Sequence, residues 1–411
     1  MKVLMVSTEY PPMRGGVGRY ASKLVQALRN TGNGIEVQVV CNRDGEGEFD
    51  GLSPTNERNS DLLLKIVEEQ YRPDVVHVQF EPGLYGLVLD PANPSASHTF
   101  VDEFYYRSKV PIVTTFHSAY TLREWMGQAM IVKRDGRIGK LGIPMRAAIR
   151  TWKSLVNYEA FHNINKEKLK LGGAGICFSK YMSGRLGGGD VIYHGADPAL
   201  PQPLSKAEAR SRFSLPQDKM IAVAIGFSTA TKGWDILSKM EMPNNWVMVL
   251  NSSKGHFNKE QNLSFGIEET SRSKNNSSES KTIRVIDLQR GFLREEELSM
   301  LFYASDVVVL PYRITSGSGV MFDALAHSVP FVASDLDFFK EFAEMGLGVT
   351  AKRDPLSFAK AIEKIGKSYD NYSKAVSNFK HQLRWEYVAN QHIEVYKRAI
   401  LEKGRNVIAE N

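Results

Sequence analysis

The sequence predicts an α/β protein of two Rossmann-like, doubly wound domains. Three observations carry that expectation. Short apolar runs rich in Val and Ile alternate with amphipathic stretches, the pattern of buried parallel strands and the helices that cover them. The alternation stops at Asp197-Pro-Ala-Leu-Pro-Gln-Pro203, three prolines in a polar setting, and then starts again. The 411 residues, 42% hydrophobic and 24% charged, suffice for two cores. The expected divisions are a first domain over 1–196, a second over 204–384 and a final amphipathic helix within 385–411.

The first strand is expected at 3–7. Met1-Lys-Val-Leu-Met-Val6 mimics a leader for only a few residues before Ser7-Thr-Glu-Tyr-Pro-Pro12 breaks it. A helix over 18–29, a strand over 36–41, a helix over 62–70 and strands over 75–79, 112–116, 176–179 and 190–193 complete the first half. The second half reads as strand 220–225, helix 234–240, strands 246–250 and 283–287, helix 295–304, strands 307–310 and 331–333, and helix 385–402. Residues 251–282 are polar and rich in Asn, Ser and Lys, and read as a surface loop. Cys41 and Cys177 sit in or beside apolar runs and read as buried free thiols of a reducing compartment. No apolar run reaches the roughly 18 residues of a membrane span, so the expected location is cytoplasmic.

The most informative stretch runs from Asp306 to Pro330. An apolar run, Val307 to Leu310, is followed by Pro311, a Ser/Gly loop over 315–319 and an apolar stripe beginning at Val320. Strand, small-residue loop and helix start together make an anion site, because free N–H groups and the positive end of the helix dipole point out of the loop. Gly317 and Gly319 allow a phosphate close to the backbone, and Asp323 lies one turn further on. A second loop, Arg14-Gly15-Gly16-Val17-Gly18, follows the first strand and opens a helix, but matches neither the dinucleotide fingerprint nor a P-loop. Gly226-Phe-Ser-Thr-Ala-Thr-Lys232-Gly233 follows a strand, and Lys232 there can pair with a phosphate. His117 ends a strand, where open α/β sheets bind ligands, and can position or deprotonate a hydroxyl. Asp335-Leu-Asp337 matches a D-x-D metal pattern by chance, and no His/Cys cluster has metal spacing.

In order, the Gly-Gly-Val-Gly loop, His117, Val191-Ile-Tyr-His-Gly-Ala-Asp197, Lys232-Gly233, Gly291-Phe-Leu-Arg-Glu-Glu-Glu-Leu298 and Ser-Gly-Ser-Gly-x3-Asp-Ala-Leu-Ala resemble the family-four (group 1) retaining glycosyltransferases of GT-B fold. The resemblance runs from Met1 to about Lys397. It implies two domains facing a cleft, with the acceptor on the first, the nucleotide-sugar on the second, and the C-terminal helix crossing back to the first. It also implies transfer of a hexose, UDP-linked by family habit, to an acceptor hydroxyl with retention and without a metal or other cofactor. The catalytic pair would be His117 and Lys232. Donor contacts would come from Gly16, Val17, Lys232, Arg290, Thr315, Gly317, Ser318, Gly319, Val320 and Asp323.

Three positions depart from the family pattern. Thr315 stands eight residues before Asp323, where the first Glu of E-x7-E is usual. Phe227 replaces a common Arg, leaving Arg313 or Arg14 to supply the second diphosphate cation. His194 stands where Asn is usual. These departures keep open a different class of function, a non-catalytic sugar-nucleotide-binding subunit of a glycosylation complex. A sugar-nucleotide epimerase would need carboxylates that the sequence does not place.

The formal charge is +6, and the stretch from Lys133 to Lys153, with seven basic residues against one acid, accounts for the whole excess. Pro144 suits a first helical turn. From there Arg146, Arg150 and Lys153 share one face, with Met145, Ile149, Trp152 and Val156 on another. This reads either as a peripheral contact with an anionic membrane face near a lipid-linked or glycan acceptor, or as a solvated helix with its apolar side in the core. Sparse aromatic interleaving argues against nucleic acid.

Overall fold

The structure, a computed structural model, describes residues 1–32, 34–131, 143–200, 202–253 and 285–410, without side chains at 127–131, 143–150, 230 and 406–410. The expected loop lies outside these residues from 254 onward. The chain forms two compact units. One comprises Met1–Gly195, Ile314–Gly319 and Gln382–Asn411, the other Ala196–Arg313 and Val320–His381.

The first unit is built on six strands: β1 (Lys2–Val6), β2 (Glu36–Val40), β3 (Val75–Phe80), β4 (Ile112–Phe116), β5 (Gly173–Cys177) and β6 (Asp190–Val191). All pair in parallel, in the order β2-β1-β3-β4-β5-β6. The order reverses between β1 and β3, so a crevice opens beyond the carboxyl ends of these two strands. Every residue of β3 and β4 is buried, which explains runs such as Val-Val-His-Val-Gln-Phe without polar alternation. The helix Trp385–Glu410 belongs to this unit and packs on the helix Gly16–Arg29 through buried Val388, Ala389, His392 and Tyr396.

The second unit repeats the plan with β7 (Met220–Phe227), β8 (Trp246–Ser253), β9 (Val285–Asp287), β10 (Val307–Leu310), β11 (Phe331–Ser334) and β12 (Gly348–Ala351). The order β12-β11-β10-β7-β8-β9 is again parallel and reverses between β7 and β10. Its core joins Trp234, Leu237, Met248 and Leu250 to Val307, Val309, Phe358 and Ile362. Asp306 closes one end of this core. It accepts Arg210 Nη2 at 2.7 Å, Lys206 Nζ at 2.5 Å and the Ile221 N–H at 2.6 Å.

Several boundaries differ from the sequence reading. The helix expected at 62–70 begins at Asn59, and its second part, Ile66–Gln70, is a π-helix closed by Tyr71 N–H onto Ile66 O. The helix expected at 234–240 has only the four residues Trp234–Leu237. The basic helix continues far beyond 156, over Ile143–Gly172, because Ala160, Phe161 and Ile164 keep one face buried. Strand β12 and the helices Asp337–Glu344, Pro355–Lys367 and Tyr369–Phe379 were not read from the sequence. One of them was legible, since Asp354 caps Ser357 N–H ahead of Pro355. Cys41 and Cys177 are buried and free, and burial pushes their thiols up to about 11 and about 12.

Candidate active site

In the first unit, functional groups gather beyond β1, β3 and β4. The helix Gly16–Arg29 starts with Gly15 at its N-cap and has no acid in its first turn. The carboxylate of Glu9, two residues beyond Ser7, supplies the missing acceptor: Gly18 N–H reaches Glu9 Oε2 at 3.4 Å. The three loop glycines therefore have different causes. A Cβ at Gly15 would lie 2.0 Å from Glu9 Oε2, and one at Gly18 would lie 2.9 Å from the Glu9 backbone. Gly16 is exposed, and a Cβ there would meet nothing within 4 Å.

His117 follows β4 and is held through its ring edge. Its Nε2–H donates to Gln79 Oε1 at 2.9 Å. The Gln79 amide turns its nitrogen toward His77 Nε2, 3.2 Å away. His77 lies 2.7 Å from both Thr115 Oγ1 and Tyr396 Oη. Tyr20 Oη donates to His392 Nε2 at 3.2 Å, because His392 Nδ1–H is committed to Val388 O. This network ties two central strands to the terminal helix and satisfies polar groups that the apolar sheet would otherwise strand. Burial drives the His117 imidazole down to about 3, helped by His194, so it is neutral at physiological pH with Nδ1 as an acceptor. Tyr20 and Phe178 meet its ring edge to face, and Tyr20 in turn packs on Phe178 edge to face and on His194 and Trp385 at a tilt, with ring centroids 4.8–5.4 Å from Tyr20. Gly195 is glycine because the Trp385 indole covers it, 2.4 Å from a virtual Cβ.

The loop Ile314–Gly319 packs with this unit. A Cβ at Gly317 would stand 3.6 Å from Phe178, and one at Gly319 would stand 3.4 Å from His194 Nε2. Neither glycine has a left-handed φ, so internal packing does not demand glycine at either position. Thr315, in the place of the family's Glu, turns inward: its hydroxyl donates to Gly317 O and lies 3.3 Å from Gly317 N. Ser318 is buried.

In the second unit, the groups beyond β7, β10 and β12 are cationic. Lys232 ends a 3-10 turn, and Gly233 follows at φ +69° against Pro311 O. Lys232 Nζ stands 3.7 Å above the Tyr312 ring centroid, a cation–π contact of about 0.5–2 kcal/mol. Arg313 donates to Asp235 Oδ2 at 2.6 Å and through its backbone N–H to Thr231 O at 2.7 Å. Arg353, beyond β12, feels the charges of Arg313 and Asp235: burial, then Arg313, lowers its pKa, while Asp235 opposes. Sequence reasoning missed Arg353. The signal was a basic residue just past an apolar run, too common to single out.

The remaining expected residues are scattered. Asp323 is buried on the helix Gly319–Ala326, and its carbonyl accepts His327 Nδ1–H at 2.7 Å. Val320 is partly buried beside it in sequence, and Val17 is partly buried on its own helix. The Arg290 guanidinium stacks 4.8 Å over Phe213 and stands 3.7 Å from Glu297. Asp335 and Asp337 both face Lys340, at 3.3 and 3.0 Å, an ion pair rather than a metal cage. Among the described residues no group of His, Cys, Asp and Glu has the arrangement of a metal site. The side chains of Arg146 and Arg150 lie outside the described residues. Lys153 is exposed, and so is Trp152 (53%), so of the two readings of this helix the one with its apolar side in the core does not hold at Trp152. No described helix is long and apolar enough to cross a membrane.

The profile of Glycosyltransferase Family 4 matches residues 14–152, and that of Glycosyl transferases group 1 matches residues 272–368. No curated protein sequence matches the chain. Among solved structures it resembles the sucrose-phosphate synthase of Thermosynechococcus elongatus, with TM-score 0.65 at 16% identity over 98% of this chain and 100% of that one. It also resembles Anabaena HepE in complex with UDP and glucose, with TM-score 0.63 at 14% identity over 97% and 99% of the two chains. A third likeness is to WaaG, a glycosyltransferase involved in lipopolysaccharide biosynthesis, with TM-score 0.54 at 12% identity over 97% and 98%. The two profiles fall one on each half of the chain, and the two parallel sheets are those of the GT-B neighbours; the chain belongs to the family-4, group 1 glycosyltransferases.

Proposed function

We propose that the chain transfers a hexose, with retention, from a UDP-hexose to an acceptor hydroxyl on a lipid-linked or surface glycan. The observation that carries this reading is the pair Lys232 and Arg313 beyond β7 and β10, where the second sheet reverses its order, with Arg353 beyond β12 within electrostatic reach of Arg313. Breaking a sugar–phosphate bond leaves negative charge on the diphosphate. Preorganised cations meet that charge without reorganising and without a metal. Arg313 stands in for the cation lost at Phe227, and Asp235 keeps its guanidinium in place. The neutral imidazole of His117 offers an acceptor nitrogen to a sugar hydroxyl. Asp323 is suited to the ribose hydroxyls. UDP is favoured by HepE, solved with UDP and glucose.

Thermal-shift screening against UDP, GDP, ADP and their hexose conjugates tests the reading. One nucleotide series should raise the melting temperature, and nucleotide release should follow when acceptor is added and persist in EDTA. Lys232→Ala should lower kcat by about 10²–10³ with little change in melting temperature. An intact rate in Lys232→Ala would overturn the assignment. A second reading draws on Thr315, whose hydroxyl is spent within its own loop. A non-catalytic binding subunit would bind nucleotide-sugar and release nothing with any acceptor.

The exposed Trp152 and Lys153 at the basic end of their helix support a peripheral contact with an anionic membrane. Co-sedimentation with vesicles containing phosphatidylglycerol should weaken when Arg146, Arg150 and Lys153 become Ser. Equal binding by both proteins would end that part of the proposal.

A further inference from the structure

Beyond β3 and β4 the first unit holds a second polar cluster that the reading above leaves unused. Thr121 and Glu124 form a reciprocal cap at the start of the helix Leu122–Ile131. Glu124 Oε2 accepts Thr121 N–H at 2.9 Å and Thr121 Oγ1 at 3.0 Å, and Glu124 N–H reaches Thr121 Oγ1 at 3.1 Å. The same Oε2 takes Tyr181 Oη at 2.7 Å. The other oxygen, Oε1, has no partner although the residue is only 7% exposed. An acceptor left open in such a place costs about 1–3 kcal/mol. One carboxylate thus carries three donors on one oxygen and none on the other.

Two buried hydroxyls, one by Glu81 and one by Tyr120, are also incomplete. Ser118 Oγ lies next to the Glu81 carboxyl without completing a hydrogen bond, and Ser316 Oγ lies likewise next to the Tyr120 phenol. Tyr120 stands in the field of both Glu81 and Glu124. Its ring stacks on Phe161 at 5.8 Å, extending a shelf with Trp125. Burial pushes the Glu81 carboxyl up to about 7, and Glu9 adds to this, so it can both donate and accept.

We propose that Glu124 Oε1, Ser118, Ser316 and the Tyr120 ring form an acceptor subsite for an uncharged sugar ring. Glu124 Oε1 can only accept, so the ligand must bring hydroxyl hydrogens. The aromatic shelf suits the C–H face of a pyranose. A phosphorylated or uronic sugar would face the Glu124 carboxylate. The proposal deepens the glycosyltransferase reading by naming the acceptor class, and it rests on that reading.

The test is saturation-transfer NMR on the full chain without donor, using methyl α-glucoside, methyl α-galactoside and methyl α-mannoside, with glucose 6-phosphate and methyl glucuronide as anionic counterparts. At least one neutral glycoside should bind, the anionic sugars should not, and Glu124→Gln should weaken binding about tenfold. Gln keeps the oxygen that caps the helix, and Ser316→Ala, which leaves that cap untouched, should weaken binding in the same sense. Absence of neutral-glycoside binding, preference for the anionic sugars, or unchanged binding in both variants (the pattern if ordered water alone fills the cluster) would overturn the subsite. UDP-hexose thermal shifts measured in parallel separate the two claims. Loss of glycoside binding with an intact donor shift refutes the subsite alone, whereas no donor shift refutes the parent reading.

Discussion

Glycine is the residue type whose role the structure divides most sharply. Gly233 combines φ +69° with a Cβ position 1.8 Å from Pro311 O, so any side chain there must move backbone. Gly233→Ala should destabilise the protein by more than about 2 kcal/mol, read by denaturant unfolding. Gly16 is free of such constraint, and Gly16→Ala should stay within about 0.5 kcal/mol of wild type. If donor phosphates approach this backbone, the same variant should raise the donor KM. A large loss of stability in Gly16→Ala, or none in Gly233→Ala, would contradict this division. The sequence showed the glycine-rich loop but not that Glu9 fills the space at two of its three glycines, because that contact depends on how the strand end turns.

At the scale of elements, β3, β4 and the terminal helix are joined by imidazoles that must stay neutral. Burial depresses His117 to about 3 and His392 to about 4, and pushes His77 well down, from an ordinary 6.5. Between those limits the unfolded chain binds more protons than the native one. Stability is therefore complete above 6.5 and is lost as pH falls toward 4. Glu81 acts with the opposite sign. Its native carboxyl titrates near 7 against 4.5 when unfolded, so its contribution is present below 4.5 and lost as pH rises through 7. Melting curves from pH 4.5 to 8.5 should show a steep acid limb that flattens in His392→Gln, and Glu81→Gln should gain stability at the alkaline end. Unchanged slopes in both variants would refute the assignment. His117 was legible as a strand-end His, but its partners Gln79, His77 and Tyr396 were not. Two of them sit inside what reads as an apolar strand, and the third, Tyr396, reaches the network by bonding His77 from 319 residues away in the chain.

At the scale of the molecule, the terminal segment Gln382–Asn411 is part of the first unit's core. Tyr396, Val388, Ala389 and His392 are fully buried, and Trp385 packs against Tyr20 and His194. A chain ending at His381 would expose the surfaces that these residues cover and leave His77 Nδ1 and the Tyr20 hydroxyl without Tyr396 and His392. Calorimetry of that truncation should show the first unit's transition lowered or lost, while the second unit's transition persists. Retention of both transitions would show that the segment is dispensable.

The alternation of apolar runs and helical stripes determined the α/β class and the repeated half, because burial of both sheet faces writes itself directly into composition. Ordered small-residue loops and single charged residues determined the family, and Lys232, His117 and Asp323 were visible as strand-end or helix-start residues. The tertiary structure decided what surrounds them. The grouping of Lys232 with Arg313 and Arg353 follows from strand order, which hydrophobic periodicity does not encode. The neutrality of His117 follows from burial beside His194, and its orientation from Gln79 on the neighbouring strand. The unfilled oxygen of Glu124 follows from a cap that uses only one side of the carboxylate. The first two depend on distances between segments far apart in the chain, and in the third only the Tyr181 hydroxyl, 57 residues from Glu124, joins a local cap; those distances are fixed only when the sheets assemble.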